Sequence, residues 1–91
     1  MWLRAALEGR TEMIRGLLAK GVDVNETNEW GRTALMFATI NLHHETVRTL
    51  LESGADVNVR AYDGATALML AACAGDIGTV KALLERGADV Q

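Results

Sequence analysis

Few residues of this chain carry side chains that could do chemistry. His43 and His44 form the one pair typical of metal binding, but a closed zinc site takes four ligands and Cys73 would supply only a third. Cys73 as a nucleophile would need a neighbouring base and a lowered pKa, and no pattern predicts either. Asp63 and Asp76 could act as an acid/base pair, yet nothing in the sequence brings them into one cleft. Neither standard glycine-rich phosphate motif occurs. We therefore predict no catalytic residue, no metal site and no cofactor.

The composition argues against several classes of partner. The 91 residues are 49% apolar and 23% charged, as is typical of one folded domain. The net charge of −3 argues against nucleic acid, whose phosphates select a basic surface. No apolar run is long enough to span a membrane, and the first residues do not follow the plan of a signal peptide. A single cysteine cannot form an internal disulfide, so we expect a soluble, intracellular protein of the cytoplasm.

The elements that must position any site come from an internal repeat. Gly-Val-Asp-Val-Asn at 21–25 returns as Gly-Ala-Asp-Val-Asn at 54–58 and as Gly-Ala-Asp-Val-Gln at 87–91, each time after 33 residues. Residues 30–58 and 63–91 are identical at 15 of 29 aligned positions. Such self-similarity at a fixed period indicates an array of structural units.

Within each unit the pattern predicts two short helices. Thr33 and Thr66 stand at N-cap positions, where a hydroxyl can accept a bond from a helix amide that has no other partner. Gly21, Gly54 and Gly87 are placed to end the second helices, and the Asp-Val-Asn stretch after each of them resembles a strand leading into a turn. The predicted first helices are 2–8, 34–41 and 67–74, and the predicted second helices are 12–20, 44–53 and 77–86.

Helices this short are marginal in isolation, so their apolar faces must be buried between neighbouring units. The predicted apolar faces of the last two second helices are Val47, Leu50 and Leu51, then Ile77, Val80, Leu83 and Leu84. The expected architecture is an all-α repeat solenoid without a central sheet, folded as a single domain over residues 1–91.

The period of 33, the Gly-x-Thr-x-Leu start and the Gly-Ala-Asp-Val-Asn end together resemble the ankyrin-repeat family. The resemblance divides the chain into an incomplete unit 1–27, a full unit 28–60 and a nearly complete unit 61–91. It implies helix–turn–helix units with projecting hairpin-like loops, a concave face, protein binding and no catalysis. It also implies that His43 makes a structural hydrogen bond. We interpret Asp63 as a hairpin-turn residue and Asp76 as the start of a second helix.

The chain departs from the family pattern at two kinds of position. Met36 and Met69 replace the histidine that follows Thr-Pro-Leu in the family, and we expect each methionine to fill the space as an apolar plug. Leu42 stands where the family has a turn glycine. If the backbone keeps a positive φ there, a side chain costs about 1 kcal/mol.

Partner-binding residues follow from the resemblance, because positions that differ between units can be chosen for a partner. Trp30 and Tyr62 stand out, since Trp, Tyr and Arg are enriched at binding hot spots. Alternatively, each ring lies flat on the neighbouring hairpin and stabilises the stack. The candidates at the hairpin tips are Glu29, Trp30, Arg32, Tyr62, Asp63 and Ala65, and those on the first helices are Ile40, Asn41, Cys73 and Ala74.

The two ends of the array raise alternatives to this interpretation. Terminal units of solenoids usually carry polar capping faces. Here apolar residues are expected on both outer faces: Trp2, Leu3 and Leu7 at one end, and Ile77, Val80 and Leu83 at the other. We predict a non-catalytic module that binds a protein partner. The alternatives are a self-associating unit that stacks through these ends, or a fragment of a larger ankyrin-containing enzyme or effector.

Overall fold

The computed structural model describes residues 1–90, which form six helices in three successive pairs. The helices are α1 (Trp2–Glu8), α2 (Thr11–Ala19), α3 (Ala34–Ile40), α4 (His44–Glu52), α5 (Ala67–Ala74) and α6 (Ile77–Glu85). Each agrees with its predicted range to within one residue at either end. The first helices α1, α3 and α5 pack side by side in one layer, and each second helix packs on the first helix of its own pair, with α2 also against α4.

Local signals define where the helices begin and end. Thr33 Oγ1 accepts a hydrogen bond from the Met36 amide at 3.3 Å, and Thr66 Oγ1 accepts one from the Met69 amide at 3.2 Å, so both predicted N-caps are confirmed. Leu42 adopts a φ of 61°, the left-handed conformation that Gly75 adopts one repeat later with a φ of 71°. The positive φ at Leu42 is therefore confirmed as well.

The stretches after the second helices differ from the expectation of strands. Within residues 1–90 there is no strand, and the one isolated bridge joins Thr27 to Thr33. The first two stretches fold on themselves instead, because the carboxylate of each Asp accepts a hydrogen bond from the amide two residues later: Asp23 from Asn25 and Asp56 from Asn58, both at 2.9 Å. The third stretch includes Gln91, which lies outside the described residues. Asn25 Oδ1 then accepts a bond from the Asp56 amide at 2.7 Å. These loops therefore join successive units through hydrogen bonds between a side chain of one unit and the backbone of the next.

Alanine at the contacts of the first-helix layer lets its helices approach closely. Ala6, Ala38 and Ala71 are fully buried, and each belongs to a different first helix. Leu50 and Leu83 of the second helices are also fully buried beneath them. Burial therefore accumulates between successive pairs, as expected for a solenoid.

Several apolar residues lie elsewhere than expected. Trp2 is only 5% exposed and belongs to the core, although it was expected on an open end. Leu83 was also expected on an open end, yet it is fully buried, whereas Ile77, expected on the same end, is 63% exposed. Leu84 was assigned to the apolar face of α6, but it is 42% exposed because no described helix covers that side of α6. Met69 is 43% exposed and fills no internal space, for the same reason on α5.

Candidate functional site

The first hairpin tip is held closed by one asparagine side chain. Asn28 Oδ1 accepts hydrogen bonds from the amides of Trp30 and Arg32, both at 2.9 Å. The Asn28 amide in turn donates to the Arg32 carbonyl at 3.0 Å. The backbone that carries Trp30 therefore has its polar groups satisfied locally, which leaves the indole free to project outward.

The second tip is built in a similar way, with an aspartate in the corresponding role. Asp63 Oδ1 accepts a bond from the Ala65 amide at 3.1 Å, and the Ala61 amide donates to the Ala65 carbonyl at 2.9 Å. The expected hairpin-turn role of Asp63 is thus present in the structure.

The two tips are bonded directly to each other. The Tyr62 amide donates to the Trp30 carbonyl at 3.0 Å, and Arg32 Nη2 donates to Asp63 Oδ2, also at 3.0 Å. The Tyr62 ring lies on Gly31, where a Cβ atom would come within 2.8 Å of two ring carbons. Glycine is needed there both for this close approach and for its φ of +77°. The tips therefore form one preassembled surface.

This surface presents two aromatic rings to solvent. Trp30 is 61% exposed and Tyr62 is 78% exposed. Together with Arg32 and Asp63 they line a cleft of about 530 Å³. The guanidinium and carboxylate of the cleft neutralise each other, and such an exposed ion pair contributes at most about 1 kcal/mol. The remaining tip candidates are an exposed Glu29 and a half-buried Ala65 that do not line this cleft.

The candidates on the first helices are exposed but form a separate group. Ile40 is 47% exposed, and Asn41, Cys73 and Ala74 are also exposed. Asn41 Nδ2 donates to the Leu7 carbonyl at 2.8 Å, so its side chain also joins two helix pairs. None of these four residues lines the cleft at the tips.

The residues that could do chemistry make structural bonds. His43 Nε2 donates to the Leu7 carbonyl at 2.9 Å, in agreement with the structural role that the resemblance implied. His44 Nε2 lies 2.8 Å from Asp76 Oδ2. Cys73 is exposed on α5, and no group of three or more metal-binding side chains occurs within residues 1–90.

Asp76 caps the last helix, as expected. Its Oδ1 accepts a bond from the Thr79 amide at 3.3 Å, and its Oδ2 accepts one from the Thr79 hydroxyl at 2.6 Å. The bond from the Thr79 hydroxyl is the main cause that holds the pKa of Asp76 below its ordinary value, with smaller support from the Thr79 amide and from His44. This carboxylate is thus occupied in holding the fold.

Sequence reasoning missed a second cavity, which lies between α4 and α6 and measures about 460 Å³. The sequence does contain a signal for this cavity: the small residues Gly78 and Ala82 stand one repeat after the larger Glu45 and Thr49. A groove remains where those larger side chains would project.

The fold and the tips together define a solenoid of helix pairs with loops joined side by side. A family model for ankyrin repeats in three copies matches residues 2–91, and the chain belongs to the ankyrin-repeat family. Members of this family are generally protein-interaction modules and typically have no enzymatic activity. A search of curated proteins gives no match to the chain. No helix within residues 1–90 is long and apolar enough to cross a membrane.

Proposed function

We propose that this chain binds a protein partner, without catalysis, through a concave face formed by the hairpin tips and the first helices. The observation that carries the proposal is the exposure of Trp30 and Tyr62 on two tips that are already bonded to each other. Large exposed rings beside an arginine are typical of binding hot spots. Trp30, Arg32 and Tyr62 would anchor the contact.

The mechanism is the display of side chains on an ordered backbone. Association costs free energy for every loop and side chain that must be ordered on binding. Here the tip backbone is fixed by Asn28 and Asp63 before any partner arrives. Glu29 and Asp63 would add polar selectivity at the rim, and Ile40, Asn41, Ala65, Cys73 and Ala74 would extend the surface.

The structure also bears on the alternative in which the rings only pack. Tyr62 does lie on Gly31 of the neighbouring tip, yet most of its surface remains exposed. Removal of both rings should therefore change the free energy of unfolding by no more than about 0.5 kcal/mol, as for other surface positions.

The experiment is capture of the partner from cell extract, identified by mass spectrometry. The Trp30→Ala/Tyr62→Ala variant should lose the partner and keep its melting temperature. The matched control is Ile77→Ala/Leu84→Ala, which removes exposed apolar surface from α6 and should retain the partner. A photoreactive phenylalanine analogue at Tyr62 should crosslink to the partner, and the same group at Ile77 should not. A large loss of stability in the tip variant would instead assign the rings to packing.

A second candidate function is end-to-end self-association, which the exposure of Met69 favours. Met36 is 1% exposed on α3, whereas Met69 is 43% exposed at the same position of α5. A second copy stacked on α5 would cover it, and such head-to-tail contacts need not close. Light scattering should then show a mass that rises with concentration, and Met69→Glu should suppress the rise. A constant monomer mass across the series would exclude this candidate.

A further inference from the structure

The junction between α2 and α4 is closed by an arginine that crosses from one helix to the other. Arg15 Nη2 lies 3.4 Å from Thr49 Oγ1 and 3.8 Å from Glu45 Oε2. Its Nη1 pairs with Glu12 of its own helix at 2.7 Å. One guanidinium therefore has three oxygen partners in this junction.

One repeat later, the corresponding arginine has no partner among residues 1–90. Arg48 is the counterpart of Arg15, but Gly78 and Ala82 replace Glu45 and Thr49. The counterpart of Glu12 is Glu45, which is directed to Arg15 instead. Within the described part of the chain, Arg48 makes no hydrogen bond or ion pair.

A groove of about 460 Å³ occupies the place of the missing side chains. Arg48 lines it beside the apolar side chains of Val47, Leu51 and Ala82. A Cβ atom on Gly78 would meet only Asp76 Oδ1, at 3.8 Å, so the groove is open above this glycine.

The unpaired guanidinium of Arg48 favours an anionic ligand group. His44, Arg48 and Arg86 supply basic groups, and the carboxylate of Asp76 already bonds to Thr79 and His44. Glu85 also lines the groove, but it makes no ion pair with Arg48 within residues 1–90. Arg86 Nη1 donates to the Leu51 carbonyl at 2.9 Å, whereas the whole Arg48 guanidinium remains available within residues 1–90.

We propose that the groove between α4 and α6 binds an acidic peptide segment of a partner protein. A glutamate or aspartate carboxylate of the peptide pairs with Arg48, and an adjacent aliphatic side chain lies on Val47, Leu51 and Ala82. The peptide supplies in trans what Glu45 supplies to Arg15 within the chain. This site goes beyond the tip surface, since the two cavities share no lining residue.

The first test requires no ligand and asks whether Arg48 reaches across the groove. Gly78→Glu places a carboxylate at the position of Glu45, and Gly78→Ala is the matched control for helix propensity. Both are made with and without Arg48→Gln, and unfolding is measured in urea. Relative to Gly78→Ala, the Gly78→Glu variant should have a folding equilibrium constant that is about fivefold more favourable when Arg48 is present than when it is replaced. This is the upper range for an exposed ion pair, and high salt should remove the coupling. No coupling at low salt would overturn the proposal.

The second test uses the peptides acetyl-Leu-Glu-Leu-amide and acetyl-Leu-Gln-Leu-amide in an NMR titration of the full chain. The glutamate peptide should shift the Arg48 Nε–H resonance and the amides of Gly78, Thr79 and Ala82. The glutamine peptide should bind about fivefold more weakly, because it lacks the ion pair.

Variants locate the binding within this groove. Gly78→Glu should abolish the shifts, whereas Gly78→Ala should retain them. Arg48→Gln should reduce the affinity for the glutamate peptide to that for the glutamine peptide, whereas Arg15→Gln, its counterpart in the closed junction, should leave it unchanged. Equal affinity for the two peptides, or no shift with either, would overturn the proposal. If the shifts depend on protein concentration and not on the peptide, the occupant of the groove is a second copy of this chain rather than a peptide.

Discussion

The middle and last helix pairs share a methionine and a leucine at corresponding positions, yet they bury these side chains differently. Met36 is 1% exposed and Met69 is 43% exposed, and Leu51 and Leu84 are 4% and 42% exposed. The middle helix α3 packs against α1 on one side and α5 on the other, whereas α5 has α3 on one side only among the described helices. In a repeat protein, the neighbours of a side chain decide its burial more than its identity does.

The largest expected effect separates the two methionines. Met36→Ala should lower the free energy of unfolding by about 2–5 kcal/mol, because it removes a fully buried side chain and leaves a cavity. Met69→Ala should lower it by less than about 1 kcal/mol, since much of that side chain is already in water. Urea unfolding of both variants at low protein concentration measures the difference.

Equal losses for the two methionines would contradict this comparison. They would mean that Met69 is covered in solution, as self-association requires. Repeating the measurement over a range of protein concentrations then identifies the cause, because association makes stability depend on concentration.

The helices could be predicted from the sequence because their signals are local. Thr33 and Thr66 cap α3 and α5 as predicted, and Gly54 has the positive φ, 86°, that ends α4. Exposure could not be predicted equally well. Ile77 and Leu84 have helical spacing and apolar side chains, but only a covering helix would bury them.

In the candidate site, too, some features could be predicted from the sequence and others could not. The exposed tips bearing Trp30 and Tyr62 followed from the resemblance to ankyrin repeats, but the ion pair of Arg32 with Asp63 depends on how two units stack. Residues that lie 31 positions apart give no local pattern from which to predict that contact. The groove at Gly78 could have been found, because the repeat itself shows which larger residue is missing there.

The next largest effect concerns the turns between the helices of each pair. Gly75→Ala should cost about 1 kcal/mol, because its φ of +71° disfavours a side chain although nothing lies within 4 Å of the new Cβ. Gly9→Ala should cost more at the same φ, because its Cβ would lie 2.5 Å from Nδ1 of the His43 ring. Thermal and urea unfolding of the two variants measure the order.

These turn variants also explain how the middle pair tolerates Leu42. Its φ of 61° carries the conformational cost that glycine avoids in the other two pairs. If Gly75→Ala has no effect on stability, the turn does not discriminate against side chains and Leu42 carries no strain. A larger loss for Gly75→Ala than for Gly9→Ala would contradict the contact of His43 with Gly9.

The smallest expected effect is the pH dependence of the stability that Asp76 gives to the last helix pair. Asp76 caps α6, whereas His43 holds the corresponding position before α4 and makes no side-chain cap bond. Because the folded state lowers the pKa of Asp76 below the unfolded value of 3.8, its ionised form stabilises the fold. This contribution is complete above the unfolded pKa and is lost as the pH falls through the lower folded pKa.

Asp76→Asn keeps an oxygen at the cap and removes the titrating group. At pH 6 the variant should be less stable by about 0.5 kcal/mol, within the usual range for capping side chains. The difference should shrink as the pH is lowered and disappear at the acid pH where the folded wild-type carboxyl is protonated as well. Urea unfolding from pH 6 to acid pH measures the difference in stability between the variant and the wild type. Glu8→Gln is the control, because Glu8 is an exposed carboxyl of the first helix pair whose pKa is also lowered, chiefly by its bond from Arg4. A difference that persists at the acid end would assign the role of Asp76 to shape and hydrogen bonding alone, so the charge would no longer distinguish the cap of α6 from that of α4.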